Sequence, residues 1–200
     1  MDEVDTTLAT YEAIAPEYAA RWATNDAVVQ IALARFAAHL APGALVADVG
    51  CGPGRDLVAL AARGFVVVGI DLSQAMLREA RLRSPAPLVA ADMRSLPLRP
   101  GRLDGLWACA SLLHVPKRQA PSTVRALRDC MRPGGVAFFA LKEGAGEGLV
   151  TKHGRARFYA LYAADELDGL LSRAGFQIVD AWTDRGTAPD PWLNRVVRRR

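Results

Sequence analysis

Short apolar runs recur along this chain, and in the segments between them apolar residues return every three or four positions. The runs are continuous rather than alternating, which is typical of strands buried on both faces of a parallel sheet. The intervening segments have the spacing of helices. Seven runs predict strands, at 45–49, 65–70, 88–91, 103–116 (with its following loop), 136–141, 176–179 and 192–197. This alternation predicts an α/β fold around a mostly parallel sheet.

The first forty residues have a helical pattern with one interruption. Pro16 lacks a backbone N–H and crowds the preceding turn, so it predicts a break within residues 7–20. A second helix is predicted over about 29–40, with Asp26 before it as the N-cap. We expect this second helix to cover one face of the sheet.

Length and composition favour one domain, spanning 1–200. A chain of 200 residues, of which 51% are hydrophobic and 23% charged, is long enough for a single core. No apolar run approaches the length of a membrane span, and the first residues are acidic, unlike a signal peptide. The cysteines Cys51, Cys109 and Cys130 lie within predicted core elements. They indicate reduced thiols and a cytoplasmic protein.

The net charge of the chain adds little to the predicted fold and function. The net charge is +4, and four arginines within residues 195–200 supply much of it. We expect these arginines to form a solvated chain end, with contact to nucleic acid as the alternative. No cluster of metal-ligating residues is evident, so we expect no metal.

The region before the last helix combines flexibility with possible chemistry. Residues 144–157 are glycine-rich and polar, which predicts a mobile segment. Charged and aromatic side chains follow within a few positions of one another. They predict either a substrate rim, in which a guanidinium holds an acidic group, or a solvated face. These side chains are Arg155, Arg157, Tyr159 and Tyr162.

A glycine turn directly after the first strand is the most specific feature of the chain. Gly50, Gly52 and Gly54 follow the strand, and a helical segment follows them. Asp48 precedes the turn, and Asp71 ends the second strand 21 residues after Gly50, the spacing of a ribose-binding carboxylate. The spacing G-x-G-x-G differs from the dinucleotide pattern G-x-G-x-x-G, and a carboxylate beside the turn suits a positively charged ligand. A nicotinamide dinucleotide fold and a purely structural glycine turn are the alternatives.

The stretch D-V-G-C-G-P-G at 48–54 resembles the first motif of the class I S-adenosylmethionine-dependent methyltransferases. The resemblance implies a Rossmann-like three-layer α/β/α sandwich whose seven-stranded sheet ends in an antiparallel hairpin. It also implies S-adenosyl-L-methionine as cofactor, with S-adenosyl-L-homocysteine as product. Asp48 would then face the ammonium group, Asp71 would hold the ribose hydroxyls, and the backbone would cradle the ligand through Gly50, Cys51, Gly52 and Gly54.

Four later residues match the family around the adenine. Leu72 and Met76 would pack near the ring, although Met76 fits a core position equally well. Asp92 would accept from the adenine amino group, with Met93 against the ring; the alternative for Asp92 is a loop carboxylate that caps a turn. At the end of the fourth strand, the residues around Ala108 and Cys109 would approach the cofactor.

The resemblance also extends to the N-terminus, where residues 1–40 would form a helical lid and a covering helix over a core at 41–200. Tyr11 and Tyr18 would cap the cofactor; their alternative is aromatic packing of a helix. Arg21 and Trp22 are weaker candidates for the same pocket.

The methyl acceptor is only partly indicated. His114 would be a general base near the transferred methyl group, or it would orient its loop and pack under the lid. The motifs of DNA amino- and cytosine-C5 methyltransferases are missing after the fourth strand, so we expect a small-molecule acceptor methylated at oxygen, nitrogen or sulfur. A methyltransferase of tRNA wobble bases and a non-catalytic scaffold that binds S-adenosylmethionine are the alternatives. We expect a monomer or homodimer with no membrane contact.

Overall fold

The computed structural model describes residues 2–21, 27–152, 154–184 and 191–200. Its helices are α1 Glu3–Arg21, α2 Ala27–Ala37, α3 Arg55–Ala61, α4 Gln74–Arg83, α5 Ala120–Cys130 and α6 Ala164–Arg173, with a 3₁₀ turn at Leu112–His114. Its strands are β1 Leu45–Val49, β2 Val66–Asp71, β3 Leu88–Ala90, β4 Leu103–Cys109, β5 Met131–Lys142, β6 Glu147–Lys152, β7 Arg155–Ala160, β8 Phe176–Asp184 and β9 Trp192–Arg199. The predicted N-cap Asp26 lies outside the described residues, as does Trp22.

The main sheet has seven strands in the order β3-β2-β1-β4-β5-β9-β8. The strands from β3 to β5 pair in parallel, whereas β9 is antiparallel to both β5 and β8. The predicted Rossmann-like α/β fold with a C-terminal antiparallel hairpin is therefore confirmed. Successive strands are added outward on one side of β1 up to β3 and on its other side from β4, so the direction of the strand order reverses between β1 and β4. In sheets of this kind, ligands bind at that switch point.

Apolar residues on alternate positions of the central strands fill the two faces of the sheet. On one face Leu106 and Phe139 pack in a cluster that includes Leu171 of α6. On the other face Trp107 stacks on Phe138, with ring centroids 4.0 Å apart, in the cluster covered by α2. Burial on both faces explains why these strands are continuous apolar runs in the sequence.

Pro16 does not break the first helix, contrary to the prediction. α1 runs without interruption from Glu3 to Arg21 and contains Pro16. A proline inside a helix costs one backbone hydrogen bond, about 3 kcal/mol, unless other contacts offset that cost. Here the helix lies on the body of the protein and buries Thr10 and Ala15 before the proline and Ala19 after it. These contacts hold the helix on both sides of the proline.

None of the seven predicted strands falls in the glycine-rich region 144–157, but the structure has two strands there. β6 and β7 form a separate two-stranded antiparallel sheet in which Leu149 pairs with Phe158. Glycines at 144, 146, 148 and 154 hid the pattern, because glycine disfavours strands in isolation. Strand pairing supplies the backbone hydrogen bonds that the composition did not predict.

The arginines near the C-terminus do not form a solvated tail. Most of them belong to β9, and Arg195 is 4% exposed. Its Nε donates to Asp168 of α6 at 2.5 Å. Arg198 donates to the carbonyl of Gly134 at 3.3 Å. These positive charges serve the fold, which removes the observation that favoured nucleic acid. Among the described residues, no helix is long and apolar enough to cross a membrane.

Candidate functional site

The glycine turn lies where β1 ends at the switch point, and its shape depends on glycine. Gly50 has a φ of 75° and Gly52 a φ of 53°, which is left-handed backbone that favours glycine. A Cβ at Gly50 would stand 2.3 Å from the Cβ of Ser111. Only glycine therefore allows the turn after β1 to approach the loop after β4.

A cavity opens at this turn and gathers most of the predicted site residues. It lies at the carboxyl ends of β1, β2 and β4, under α1. Twelve of the fourteen predicted residues line it: Tyr11, Tyr18, Asp48, Gly50, Cys51, Gly52, Asp71, Leu72, Met76, Asp92, Met93 and His114.

The other two predicted residues, Gly54 and Ala108, do not line the cavity. Gly54 is the N-cap of α3, where a Cβ would lie 3.1 Å from the Cα of Ala80. It allows α3 and α4 to pack closely instead of touching a ligand. Ala108 is completely buried within the sheet, and the residues after it, from Cys109 to Ser111, face the cavity.

Two aspartates, Asp48 and Asp71, set the electrostatics of the cavity. Asp48 is 2% exposed, and its Oδ2 is buried with no hydrogen-bond partner among the described residues. Burial raises the pKa of Asp48 well above its ordinary value, and Asp56 and Asp71 add to this increase. The two oxygens of Asp71 accept from the backbone N–H groups of Gly52 and Ser73, each at 2.8 Å. These bonds join the turn after β1 to the end of β2.

The arginines that line the cavity are already paired within the described part of the chain. Arg55 donates to Asp56 at 2.7 Å, and Asp56 also accepts from the buried indole of Trp107 at 2.9 Å. Arg94 donates to Asp92 through Nε and Nη2, at 2.8 Å and 2.6 Å. Because these positive charges are neutralised by neighbouring aspartates, the unpaired oxygen of Asp48 is a polar atom at the floor of the cavity that a ligand could compensate.

Asp92 is held more firmly than the sequence indicated. Burial raises its pKa, but the hydrogen bonds from Arg94 outweigh burial and keep the pKa below the ordinary value. The carboxylate therefore stays ionised. Each of its oxygens still has lone pairs to offer a donor in the cavity.

Helix α1 closes the cavity from above, and its Tyr11 is fixed by His114. The Tyr11 hydroxyl lies 2.9 Å from Nε2 of His114, and Nδ1 of His114 lies 2.7 Å from the carbonyl of Phe158. Since a carbonyl only accepts, Nδ1 carries the proton and Nε2 accepts from Tyr11. Tyr18 packs edge-on against Tyr11, with ring centroids 5.5 Å apart.

His114 is neutral in this arrangement. Burial lowers its pKa from 6.5 to about 4, although its hydrogen bond to Phe158 acts in the opposite direction. A general base works best when its pKa lies near the working pH. The low pKa and the bond to Tyr11 therefore favour a positioning role for His114.

Sequence reasoning missed several residues of the cavity. Ala110 has a φ of 55°, a left-handed conformation that costs a non-glycine residue energy and often marks functional sites. The hydroxyl of Ser111 is buried without a partner among the described residues. Nothing in the local sequence signals either feature. Arg55 and Asp56, in contrast, directly follow the glycine turn, and that position was the available signal.

Comparison with known proteins identifies the family. Residues 46–135 match the sequence profile of the methyltransferase domain. A ubiquinone biosynthesis O-methyltransferase of Xanthomonas campestris is 31% identical over 173 residues, which make up 78% of this chain and 70% of that relative. The chain belongs to the class I S-adenosylmethionine-dependent methyltransferases. The resemblance of its glycine turn to the first motif of that family is thus confirmed.

Two further relatives show how far the similarity extends for this methyltransferase family member. The ubiquinone biosynthesis O-methyltransferase of Pseudomonas paraeruginosa is 33% identical over 137 residues, 66% of this chain. The chain covers 55% of that relative, little more than half its length. The 1,6-didemethyltoxoflavin-N1-methyltransferase of Burkholderia thailandensis, solved with 1,6-didemethyltoxoflavin and S-adenosylhomocysteine, superposes with a TM-score of 0.81 and 25% identity. That superposition covers 98% of this chain and 88% of the other.

Proposed function

We propose that this protein transfers a methyl group from S-adenosyl-L-methionine to a small molecule. The observation that carries the proposal is the buried Oδ2 of Asp48, which has no partner among the described residues although it lines the cavity. Leaving a buried ionised oxygen unpaired is costly. A ligand with an ammonium group at this point removes that cost, and a diphosphate would be repelled.

The other residues of the cavity fit the remaining parts of such a ligand. Asp71 uses one lone pair of each oxygen on the backbone, which leaves lone pairs for two ribose hydroxyls. Leu72, Met76 and Met93 supply apolar surface for a purine ring, and Asp92 offers an acceptor to its amino group. Bound S-adenosylmethionine supplies an activated methyl group, whose carbon–sulfur bond breaks towards sulfur as the acceptor's lone pair bonds to carbon.

The protein's contribution to the reaction is positioning and the exclusion of water. Ordering two reactants in line contributes about 7–11 kcal/mol to lowering a barrier. α1 lies over the cavity, and its Tyr11 is anchored by His114, so the closed lid shields the reacting atoms. His114 is our candidate for a general base only if the proton passes through Tyr11, because the Tyr11 hydroxyl occupies Nε2.

A small-molecule acceptor is favoured by the relatives. Those compared here are named as methyltransferases of ubiquinone biosynthesis and of 1,6-didemethyltoxoflavin. The integration of the C-terminal arginines into β9 leaves no basic tail for a nucleic acid among the described residues. We further propose one domain over residues 1–200, acting as a monomer or homodimer. Cys51, Cys109 and Cys130 form no disulfide bond within the described part of the chain, which supports a cytoplasmic location.

A transfer assay tests this function. Purified protein and methyl-labelled S-adenosylmethionine are incubated with a small-metabolite extract and, separately, with total tRNA. The proposal predicts label in small molecules. Label in tRNA would move the assignment to a wobble-base methyltransferase. Binding of S-adenosylmethionine without transfer to either would indicate a non-catalytic scaffold.

A further inference from the structure

One face of β7 places positive charge beside Tyr11 and His114, two of the residues that line the cavity. Along this strand Phe158 and Ala160 are buried in the core, whereas Arg157 and Tyr159 are half-buried on the other face. The ring of Tyr159 lies 5.1 Å from that of His114. The guanidinium of Arg157 lies 5.7 Å from the ring of Tyr11 and 5.7 Å from the ring of Tyr159.

Hydrogen bonds fix this face of β7 against the lid. One edge of β7 pairs with β6, and the other edge is covered by α1 and the 3₁₀ turn. Thr7 accepts from the N–H of Phe158 at 2.9 Å, and Thr10 donates to the carbonyl of Ala156 at 2.6 Å. Nδ1 of His114 donates to the carbonyl of Phe158. Arg157 therefore stands in a fixed position beside two residues, Tyr11 and His114, that line the cavity.

The charge of Arg157 is not neutralised by any carboxylate within the described ranges. The groups that act on it there are the phenols of Tyr11, Tyr159 and Tyr18. This distinguishes Arg157 from Arg55 and Arg94, each of which is paired with an aspartate. Lys142 adds a second cation, with Nζ 5.3 Å from the centre of the Tyr159 ring. Both Arg157 and Lys142 act to lower the pKa of His114, so the potential beside His114 is positive.

We propose that the methyl acceptor is a small aromatic molecule with an anionic oxygen group, and that Arg157 is the residue that selects for this charge. This inference rests on the proposed function and specifies its acceptor. A guanidinium that is half-buried among aromatic rings binds carboxylates through paired hydrogen bonds and is less strongly hydrated than an ammonium group. The rings of Tyr11 and Tyr159 offer faces and edges against which a planar acceptor packs.

The positive potential beside His114 also has a chemical consequence. It favours an acceptor whose oxygen has already lost its proton to the solvent, so that no strong general base is needed to remove the proton during methyl transfer. This agrees with the neutral, weakly basic state of His114. The charge on the cofactor side and the charge on the acceptor side are thus opposite: Asp48 faces a cation, and Arg157 faces an anion.

Matched pairs of probe molecules test the inference. Benzoate, 3,4-dihydroxybenzoate and 2-naphthoate are each compared with their primary amides, by calorimetric titration into protein saturated with S-adenosylhomocysteine. We expect at least one acid to bind about tenfold or more tightly than its amide, as one charge-assisted contact predicts. In Arg157→Gln the acid and amide should bind within about twofold of each other, and Arg157→Lys should keep part of the preference.

A control variant and a measurement of S-adenosylhomocysteine affinity distinguish failure of the inference from failure of the proposed function. Arg155→Gln removes an exposed arginine two positions away on the same strand, and it should leave the preference unchanged. All variants should bind S-adenosylhomocysteine with unchanged affinity, which shows that they are folded. The inference is overturned if no acid is preferred, if no probe binds, or if the preference survives Arg157→Gln. Failure of the wild-type protein to bind S-adenosylhomocysteine would instead overturn the proposed function.

Discussion

At the scale of single residues, the cavity is built from carboxylates with different surroundings. Asp56 and Asp92 are neutralised by adjacent arginines, and Asp71 is held by two backbone N–H groups. Asp48 has the least compensation, because its Oδ2 is buried without a partner among the described residues. Such an arrangement destabilises the free protein and is relieved by a positively charged ligand.

Asp48→Asn should therefore change stability and affinity in opposite directions. At neutral pH the variant without ligand should be more stable than the wild type, because a buried charge is removed. Its affinity for S-adenosylmethionine should fall by about 10–100-fold, the loss of one charge-assisted hydrogen bond. Thermal melting and calorimetric titration measure the two effects. Asp129→Asn, an exposed position, is the matched control.

The pH dependence of Asp48→Asn provides a second check. The pKa of Asp48 is raised in the folded protein above the 3.8 of the unfolded chain, so the folded state holds its proton more tightly. Stability without ligand should then fall as pH rises above 3.8 in the wild type, and this component should be missing in the variant. Parallel stability curves for the two proteins across that range would show that Asp48 is not the buried charge described.

The pKa of His114 is shifted in the opposite direction to that of Asp48. Its pKa is lowered by burial from 6.5 to about 4, so the folded protein takes up its proton less readily than the unfolded chain. Stability from neutral His114 is complete above pH 6.5 and should be lost as pH falls through about 4. The difference corresponds to about 3 kcal/mol. Denaturant unfolding from pH 7.5 to 4 should show this loss in the wild type and much less in His114→Gln, whereas His39→Gln should behave like the wild type.

Kinetics of the same residues separate the two roles of His114. If His114 only positions the lid, Tyr11→Phe and His114→Gln should reduce kcat modestly and leave the pH profile of kcat unchanged. If it is a base acting through Tyr11, both variants should lose about 10²–10⁴-fold in kcat. We expect the first result. A large loss in both variants, with a shifted pH profile, would establish base catalysis.

At the scale of elements, the docking of α1 on the free edge of β7 forms the lid. An exposed strand edge presents unpaired backbone groups, and proteins usually cover such edges. Here Thr7 and Thr10 take the place of a neighbouring strand. The opposite side of α1 contacts α4, where Glu12 accepts from the N–H of Ala75 at 3.2 Å. The helix thus bridges the cavity from β7 to α4.

Removing the two threonine hydroxyls should loosen the lid. Thr7→Val with Thr10→Val keeps the side-chain volume but leaves the N–H of Phe158 and the carbonyl of Ala156 unpaired, at about 1–3 kcal/mol each. Hydrogen exchange should accelerate in α1 and β7 while the central strands stay protected. S-adenosylhomocysteine should bind several-fold more weakly. Thr6→Val, which removes a hydroxyl that donates to the carbonyl of Asp2 just before the helix, is the control.

The elements differ in how well the sequence predicted them. β1, β4, β5 and β9 are mostly buried, and their apolar runs identified them. β3 and β8 are mostly half-buried or exposed, and short apolar runs still identified them. β6 and β7 were missed because their hydrogen bonds depend on pairing with each other and, for β7, on α1, which is far away in the sequence. The continuity of α1 through Pro16 has the same cause, since contacts with β7 and α4 outweigh a local signal.

At the scale of the whole molecule, residues far apart in sequence meet in ways that no local pattern predicts. Arg195 pairs with Asp168 across 27 positions, and Arg35 pairs with Asp180 across 145. Both pairs attach the C-terminal hairpin to helices on the two sides of the sheet. The sequence indicated basic residues at the end of the chain but not their partners. For the same reason the sequence indicated twelve residues that line the cavity but not that Arg157 lies beside Tyr11; it gave the segment of Arg157 only as a substrate rim or a solvated face.

Binding of a cationic nucleoside at the glycine turn is tested most directly by one calorimetric comparison. S-adenosylmethionine, S-adenosylhomocysteine and NAD are each titrated into the wild-type protein and into Asp71→Ala. We predict that both adenosyl ligands bind the wild type, that their binding is severely weakened in Asp71→Ala, and that NAD does not bind. Binding of NAD without binding of either adenosyl ligand, or unchanged affinity in Asp71→Ala, would contradict the account.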